Sequence, residues 1–501
     1  MRLFGNSKRQ PSLGRTTVLG AAWAFGQNVG FRAINFLSQL FLARILAPTD
    51  FGQIALVLTM NAFLTPLTDF GIEDVLVSRI KALRYWIGPA FGLSITLALL
   101  GAGLMMAASP LLAVVYRAPN FVGLTIPLAL NMALSGLSTI PVAKLRAELK
   151  FGALSSYNLI EFLVIQTATV VLAWGGLGAY AFVLPLPFTA TIKALFFWKL
   201  APIPMHNAFR FGTWRFLLGR SGLAFGGRLL TGVREQGDNV LLGLLATEAT
   251  VGAYALGFRL AAQPVYLLIR SLSVALFPAM ATLAADPVRQ TSMAVRAARI
   301  LAYVVTPFTF LEAVLAAPLV KMLFGPKWLP AAPFIEILSI GLAFEVLPCV
   351  SGALATARGR FHFQFRAALV STSCFVVAIA LGYWLHGPIG MAFAVSAYFA
   401  VMSIAYGLFA FHPMPGLYRT VLELWAAPFL LSAVGIGGGR LLADSLAPEG
   451  NILADVILTT VFGGTIYLGL LGAMHRRALR ELAGKAMQML HARKPLAVAG
   501  E

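Results

Sequence analysis

The chain has 501 residues, of which 59% are hydrophobic and only 11% charged, and its mean hydropathy is +0.82. Soluble proteins carry about 25% charged residues, so a soluble globule of this length could not cover its surface, and lipid must do part of the covering. The net charge of +19 invites a nucleic-acid reading, but the basic residues follow membrane topology, as shown below, and no nucleic-acid partner is expected. Two cysteines, Cys349 and Cys374, both inside apolar runs, are too few for a disulfide framework or a cysteine metal site and read as small hydrophobes.

In chain order, the basic start, residues 1–17, runs straight into an apolar stretch with no small-residue cleavage site, and is not read as a removable signal peptide. Apolar windows of about 20 residues, enough for a hydrocarbon core of roughly 30 Å, then recur fourteen times. They lie near 16–42, 51–76, 85–108, 119–141, 153–173, 178–199, 219–245, 250–276, 297–324, 330–355, 365–386, 388–410, 420–442 and 452–474. This predicts an all-α polytopic membrane protein of about 14 transmembrane helices. No connection between windows is long enough to hold a separate folded domain. The segment Met205–Leu218, with Arg210, Trp214 and Arg215 among aromatics, reads as an amphipathic connector lying on the membrane surface.

The distribution of basic residues tests the count. With the N-terminus in the cytoplasm, 28 of the 38 Lys and Arg residues fall in cytoplasmic segments. These include Arg79, Lys81 and Arg84, then Lys144, Arg146 and Lys150, then Arg289, Arg296 and Arg299, then Arg358, Arg360 and Arg366. The opposite side holds Arg44, Arg117, Lys321, Lys327 and Arg440. A wrong count would scramble this alternation, so both termini are expected in the cytoplasm.

An internal repeat appears at an ungapped offset of 200. Ala24-Phe25-Gly26 recurs as Ala224-Phe225-Gly226, and Leu42, Gly52, Ala55, Leu56 and Ala62 recur as Leu242, Gly252, Ala255, Leu256 and Ala262. The first helix pair thus maps onto helices seven and eight. Six helices, an even number, separate the copies, which predicts parallel repeats about an axis along the membrane normal, with the substrate path at their interface. The expected division is an N-terminal lobe of six helices over 1–203, a C-terminal lobe of six over 204–411 including the connector 204–218, and two further helices with a basic tail over 412–501.

Charges inside the bilayer are costly and usually face a cavity or each other. The first window carries Asn28, Arg32, Asn35 and Gln39 on one helix face, and the seventh carries Arg228, Thr231, Glu235 and Asp238 or Asn239 on one face. At the repeat offset Asn28 meets Arg228, Asn35 meets Glu235 and Gln39 meets Asn239, so both copies are expected to line one hydrophilic cavity. Arg32, Arg228 and Arg234, with Arg259 from the eighth window, would suit phosphate, whose oxygens guanidinium binds bidentately. Arg32 is the foremost of them, because its window holds no acidic residue. Glu235, Asp238 and Glu161 read as coupling or charge-balancing groups, and Arg234 with Asp238, at i and i+4, reads equally well as a mutually neutralising pair. Arg270 reads as snorkelling to the interface, and Glu312, Glu345 and Glu423 as local hydrogen-bonding residues rather than coupling sites. The chain has no phosphate loop, no His-Glu-x-x-His and no Asp-x-Asp, so no cofactor, metal or catalytic residue is expected, and the reading is not an enzyme.

Several stretches carry a resemblance. One is Leu42-Ala43-Arg44-Ile45-Leu46-Ala47-Pro48-Thr49-Asp50-Phe51-Gly52 followed by Asp69-Phe70-Gly71-Ile72; another is Asp238-Asn239-Val240-Leu241-Leu242-Gly243 running to Val251-Gly252-Ala253-Tyr254-Ala255-Leu256-Gly257-Phe258-Arg259-Leu260. These resemble the polysaccharide transporter family, the flippases of lipid-linked oligosaccharide in bacterial O-antigen and exopolysaccharide pathways. Ala47 and Gly257 stand where that pattern has Gly and Ala. The resemblance implies two six-helix lobes around a central cavity, alternating access, and a polyprenyl-pyrophosphate-linked saccharide as cargo in the bacterial inner membrane. It also implies work alongside polysaccharide polymerase or export machinery. The rival readings are a multidrug and toxic-compound exporter of the same architecture and a membrane-embedded polymerase or ligase.

Overall fold

The computed structural model describes residues 30–72, 76, 83–148, 150–203, 208–283, 285–412, 414–446 and 451–474. Among them every regular element is helical. The helices are α1 (30–45), α2 (Pro48–Asp69), α3 (Leu83–Val115), α4 (Phe121–Ala147), α5 (Phe151–Trp174) and α6 (Pro185–Leu200). They continue with α7 (Phe211–Leu245), α8 (Glu248–Ala281) and α9 (Pro287–Val314), and two short unnumbered helices, Tyr180–Val183 and Ala316–Leu323, precede α6 and follow α9. Next comes a broken α10, made of Ala332–Leu342 and Val346–Ala357 joined by a 3-10 turn at Ala343–Glu345. The stretch Phe361–Ala410 is two helices, α11 (361–385) and α12 (388–410), divided where His386 leaves helical geometry and Gly387 takes φ 60° ahead of Pro388. Gly is the residue that adopts a left-handed φ at little cost, and Pro388 cannot continue the ladder behind it. The chain closes with α13 (Leu417–Leu446) and α14 (Ile452–Met474).

Ten helical stretches of the described residues are long and apolar enough to cross a membrane, against fourteen windows read from the sequence. Three features account for part of the difference. Only 30–45 of the first helix is described, α7 carries Arg215, Arg228, Arg234, Glu235 and Asp238 along its length, and α11 with α12 forms one of the ten. Within the surface connector expected over 205–218, residues 211–218 are not a separate helix: α7 begins at Phe211 and runs unbroken to Leu245. Its first turns are drawn inward by Trp214, which packs with Ile72, Ile87 and Phe91 and donates from Nε1 to the Ala208 carbonyl at 3.1 Å.

The two helical hairpins of the repeat turn 200 residues apart, at 46–47 and at 246–247, so α2 starts at Pro48 and α8 at Glu248. There the two copies meet. A Cβ on Gly52 would overlap the Glu248 backbone, and a Cβ on Gly252 would overlap the Pro48 backbone, a reciprocal contact in which each copy offers its glycine to the other's first turn. Gln53 adds a hydrogen bond from Nε2 to Glu248 Oε2 at 3.0 Å. Around this crossing the α1–α2 turn is clamped by the segment after α9. Trp328 Nε1 donates to the Ala43 carbonyl at 2.7 Å, Lys327 Nζ donates to the Arg44 and Leu46 carbonyls at 2.9 and 2.7 Å, and Arg44 donates to the Met322 and Leu323 carbonyls, both at 2.7 Å. At the other end of α2, Phe70 takes a left-handed φ of 46° and stacks its ring on Phe225 of α7 at 4.2 Å.

The crossing tolerates no added methyl without a backbone shift, and overpacking of this kind costs about 1–3 kcal/mol. Gly252→Ala is therefore expected to lower the melting temperature of the detergent-purified protein, whereas Gly437→Ala on α13, whose Cβ would meet no atom within 4 Å, should leave it unchanged.

Candidate functional site

A cavity of about 490 Å³ lies where α1, α2, α5, α7 and α8 converge. Helix α8 supplies Ala255, Phe258, Arg259, Ala262, Gln263 and Tyr266; positions 255, 259, 262, 263 and 266 recur at the three- and four-residue spacing that keeps side chains on one helix face. Helix α1 supplies Phe31, Arg32 and Asn35, α7 supplies Glu235, Gln236 and Asn239, and α5 supplies Phe162. The wall is therefore two guanidiniums and one carboxylate among four amides, with three phenylalanines and a tyrosine between them. Towards the end that holds the α1–α2 turn, the Gly52–Gly252 crossing closes the way.

Hydrogen bonds fix these side chains. Arg32 Nη1 donates to Gln263 Oε1 at 3.3 Å, tying the two lobes of the cavity wall together. Gln236 Oε1 accepts from Thr59 Oγ1 of α2 at 3.0 Å and from Asn239 Nδ2 at 3.1 Å. Gln166 Nε2 of α5 donates to Asn35 Oδ1 at 3.0 Å. Arg259, half-buried on the cavity wall, has no hydrogen-bond or ion-pair partner among the described residues. An arginine that needs a counter-charge and lacks one in the protein is fitted to take it from an anionic ligand.

Of the residues expected at the site, Arg32, Asn35, Arg259, Glu235 and Asn239 stand on the cavity wall. The other described ones stand elsewhere. Arg228 is half-buried on α7, away from the wall, and Gln39 is buried one turn beyond Asn35 with its Oε1 unmet by any described group. Asn28 and the Arg270 side chain lie outside the described residues. The i and i+4 pairing of Arg234 with Asp238 does not form. Arg234 Nη1 reaches Glu345 Oε1 at 3.4 Å, and the 3-10 turn in α10 is what brings that carboxylate across. Asp238, 2% exposed, accepts from Tyr254 Oη at 2.7 Å and from the Asn239 amide at 2.8 Å. Each side chain has a partner on another element or in the adjacent backbone, which outcompetes an exposed-type pair along one helix. Glu161 is likewise taken, by Lys193 of α6 at 2.9 Å, and Glu423 by Arg419 at 2.7 Å. Glu312 keeps a buried Oε2 with no partner among the described residues.

The functional side chains that sequence reasoning passed over are Gln263, Gln236, Tyr266, Phe31, Phe162 and Phe258. For two of them a signal existed: Gln263 and Tyr266 continue the face set by Arg259 at i+4 and i+7.

With this geometry in place, a family model described as "Polysaccharide biosynthesis protein" matches residues 41–333. The chain belongs to that family. It is 23% identical over 496 residues to the succinoglycan biosynthesis transport protein ExoT of Rhizobium meliloti, covering 96% of this chain and 97% of that one. It is also 23% identical over 440 residues to the lipopolysaccharide biosynthesis protein WzxC of Escherichia coli, covering 84% and 86%. Among solved structures, the lipid II flippase MurJ in its inward closed conformation superposes with a TM-score of 0.73 at 13% identity, over 91% of this chain and 99% of that one. An inward-facing multidrug resistance transporter of the MATE family superposes at 0.61 with 14% identity, over 78% and 96%. The family member thus has the fold of these transporters and is a multi-pass membrane protein.

Because Arg234 and Glu345 neutralise each other inside the bundle, removing one leaves the other charge exposed to a low-dielectric site. Arg234→Gln and Glu345→Gln should each lower thermal stability more than the double substitution does, with a coupling of about 1 kcal/mol or more in the double-mutant cycle. Additive losses would show that the pair contributes nothing.

Proposed function

We propose that the chain is a transporter, not an enzyme, that moves polyprenyl-pyrophosphate-linked oligosaccharide across the bacterial inner membrane for exopolysaccharide, capsule or O-antigen synthesis. The observation that carries this reading is the cavity wall itself. Arg32 and Arg259 offer guanidiniums to a pyrophosphate, and Phe31, Phe162, Phe258 and Tyr266 offer the apolar faces on which sugar rings pack. Glu235 and the amides of Asn35, Gln236, Asn239 and Gln263 are suited to sugar hydroxyls. The names of the two relatives, a succinoglycan transport protein and a lipopolysaccharide biosynthesis protein, agree with a saccharide cargo.

Transport would proceed by alternating access of two six-helix lobes, 1–203 and 204–411, with 412–501 outside the duplication and both termini in the cytoplasm. The contacts of Gln53, Arg44, Lys327 and Trp328 with the other lobe are then those that must part for the cavity to reopen on the far side. Arg228 and Gln39 would act outside the cavity of this conformation, and Glu161, Asp238 and Arg234 would hold helices rather than cargo. Polymerase or export machinery would take the flipped product.

The likeness in fold to a multidrug transporter favours drug export as the second reading. A wall with two arginines against one glutamate repels organic cations, which counts against it.

In a deletion strain, lipid-linked oligosaccharide is expected to accumulate on the cytoplasmic leaflet, shielded from a membrane-impermeant sugar-labelling reagent. Wild type should restore surface polysaccharide, while Arg32→Ala and Arg259→Ala should cut it at least ten-fold at equal expression. Normal polysaccharide with raised drug sensitivity in the deletion strain would replace this reading with drug export.

A further inference from the structure

An amphipathic cargo whose polar head sits in a cavity and whose hydrocarbon tail stays in lipid needs a side opening, and a slot lies beside the cavity. It has a volume of about 220 Å³ and lies between α1 and α5, lined by Ile34 and Ser38 on one side and Leu163, Gln166, Thr167, Val170 and Val171 on the other. The flanking surface is lipid-facing: Leu37 and Phe41 on α1 are 53% and 61% exposed, and Ile160 and Val171 on α5 are 59% and 58% exposed. Of the ten membrane-crossing stretches, that of α5 is the least buried inside the protein.

The slot adjoins the cavity and is parted from it by two contacts. Phe31, Asn35 and Phe162 line the cavity, while the next residues on the same two helices, Ile34, Ser38, Leu163 and Gln166, line the slot. Between the two spaces stand the hydrogen bond from Gln166 to Asn35 at 3.0 Å and the edge-on contact of the Phe31 and Phe162 rings, 4.7 Å between centroids. Polar groups on a lipid-facing helix carry a desolvation cost. Ser38, Gln166 and Thr167 put three of them along one slot, among branched apolar side chains that suit a methyl-branched chain.

We propose that the polyprenyl tail of the cargo lies in the α1–α5 slot, and that the Asn35–Gln166 and Phe31–Phe162 contacts are the latch between cavity and bilayer. This rests on the lipid-linked cargo proposed above. The latch is light: one amide–amide bond and one ring contact. Apart from α1, α5 packs mainly on α6, on the short helix Tyr180–Val183 and on α4, and near its end Ala173 joins the buried cluster around Trp328.

The test uses the full-length protein in proteoliposomes with a polyprenyl-pyrophosphate disaccharide, radiolabelled in the sugar. A benzophenone amino acid is introduced singly at Thr167, at Gln263 as the cavity position, and at Leu441 on the lipid face of α13, which is 73% exposed. Labelled adducts at Thr167 and Gln263, absent at Leu441 and competed by unlabelled lipid, are expected. Adducts at Gln263 without Thr167 would overturn the slot and leave the cargo standing. Adducts at none of the positions would overturn the cargo reading as well. Equal adducts at Leu441 would overturn the slot as a specific site. Independently, Thr167→Trp, which fills the slot from an exposed position, should slow transport at least ten-fold with the protein's melting temperature unchanged; transport at the wild-type rate would also overturn the proposal.

Discussion

At the crossing of α2 and α8 the two copies of the repeat approach so closely that neither Gly52 nor Gly252 has room for a side chain, each lying against the other copy's backbone. Much of the interior geometry follows from that approach. It brings α8 and α7 to face α2 and α1, puts Arg259 and Gln263 on the same wall as Arg32, and seals one end of the cavity. The polar clamp of Trp328, Lys327 and Arg44 on main-chain carbonyls reinforces the seal with donors that need no particular partner side chain.

Electrostatics divides the intramembrane charges into two groups. Arg234 with Glu345, Lys193 with Glu161, and Arg440 with Asp455 at 2.6 Å are pairs that cross from one helix to another. In a low-dielectric interior such pairs hold helices in register, because leaving either member alone is expensive. Arg259 instead faces the cavity with no hydrogen-bond or ion-pair partner among the described residues, and an anionic cargo can supply what the protein does not. The division explains why the cavity is mildly basic while most of the bilayer-embedded charge is neutralised.

Helix breaks do part of the positioning. The 3-10 turn at Ala343–Glu345 delivers a carboxylate to α7 from a helix that would otherwise present Glu345 at another angle, and the bend at His386–Gly387 lets α11 run along α7, where Tyr383 Oη bonds the Leu245 carbonyl at 2.8 Å. Irregular backbone at membrane depth is tolerated where it is buried in protein, as it is at Ala343.

Composition, the spacing of apolar windows and the offset of 200 residues determined the helical membrane class and the positions of the two repeat turns, because hydrophobicity along the chain is a local property that lipid enforces residue by residue. The polar faces of α1 and α7 were legible for the same reason: helical spacing alone puts Arg32 with Asn35, and Glu235 with Asp238. Which charge meets which was decided only by the tertiary structure. Arg234 and Asp238 are neighbours on their own helix, yet Glu345 lies 111 positions away from Arg234 and Tyr254 comes from the next helix to take Asp238. Likewise only the structure joins the segment around Trp214 to α7 as one helix. Side-chain partners across helices depend on where several helices converge, and no single helix face encodes that.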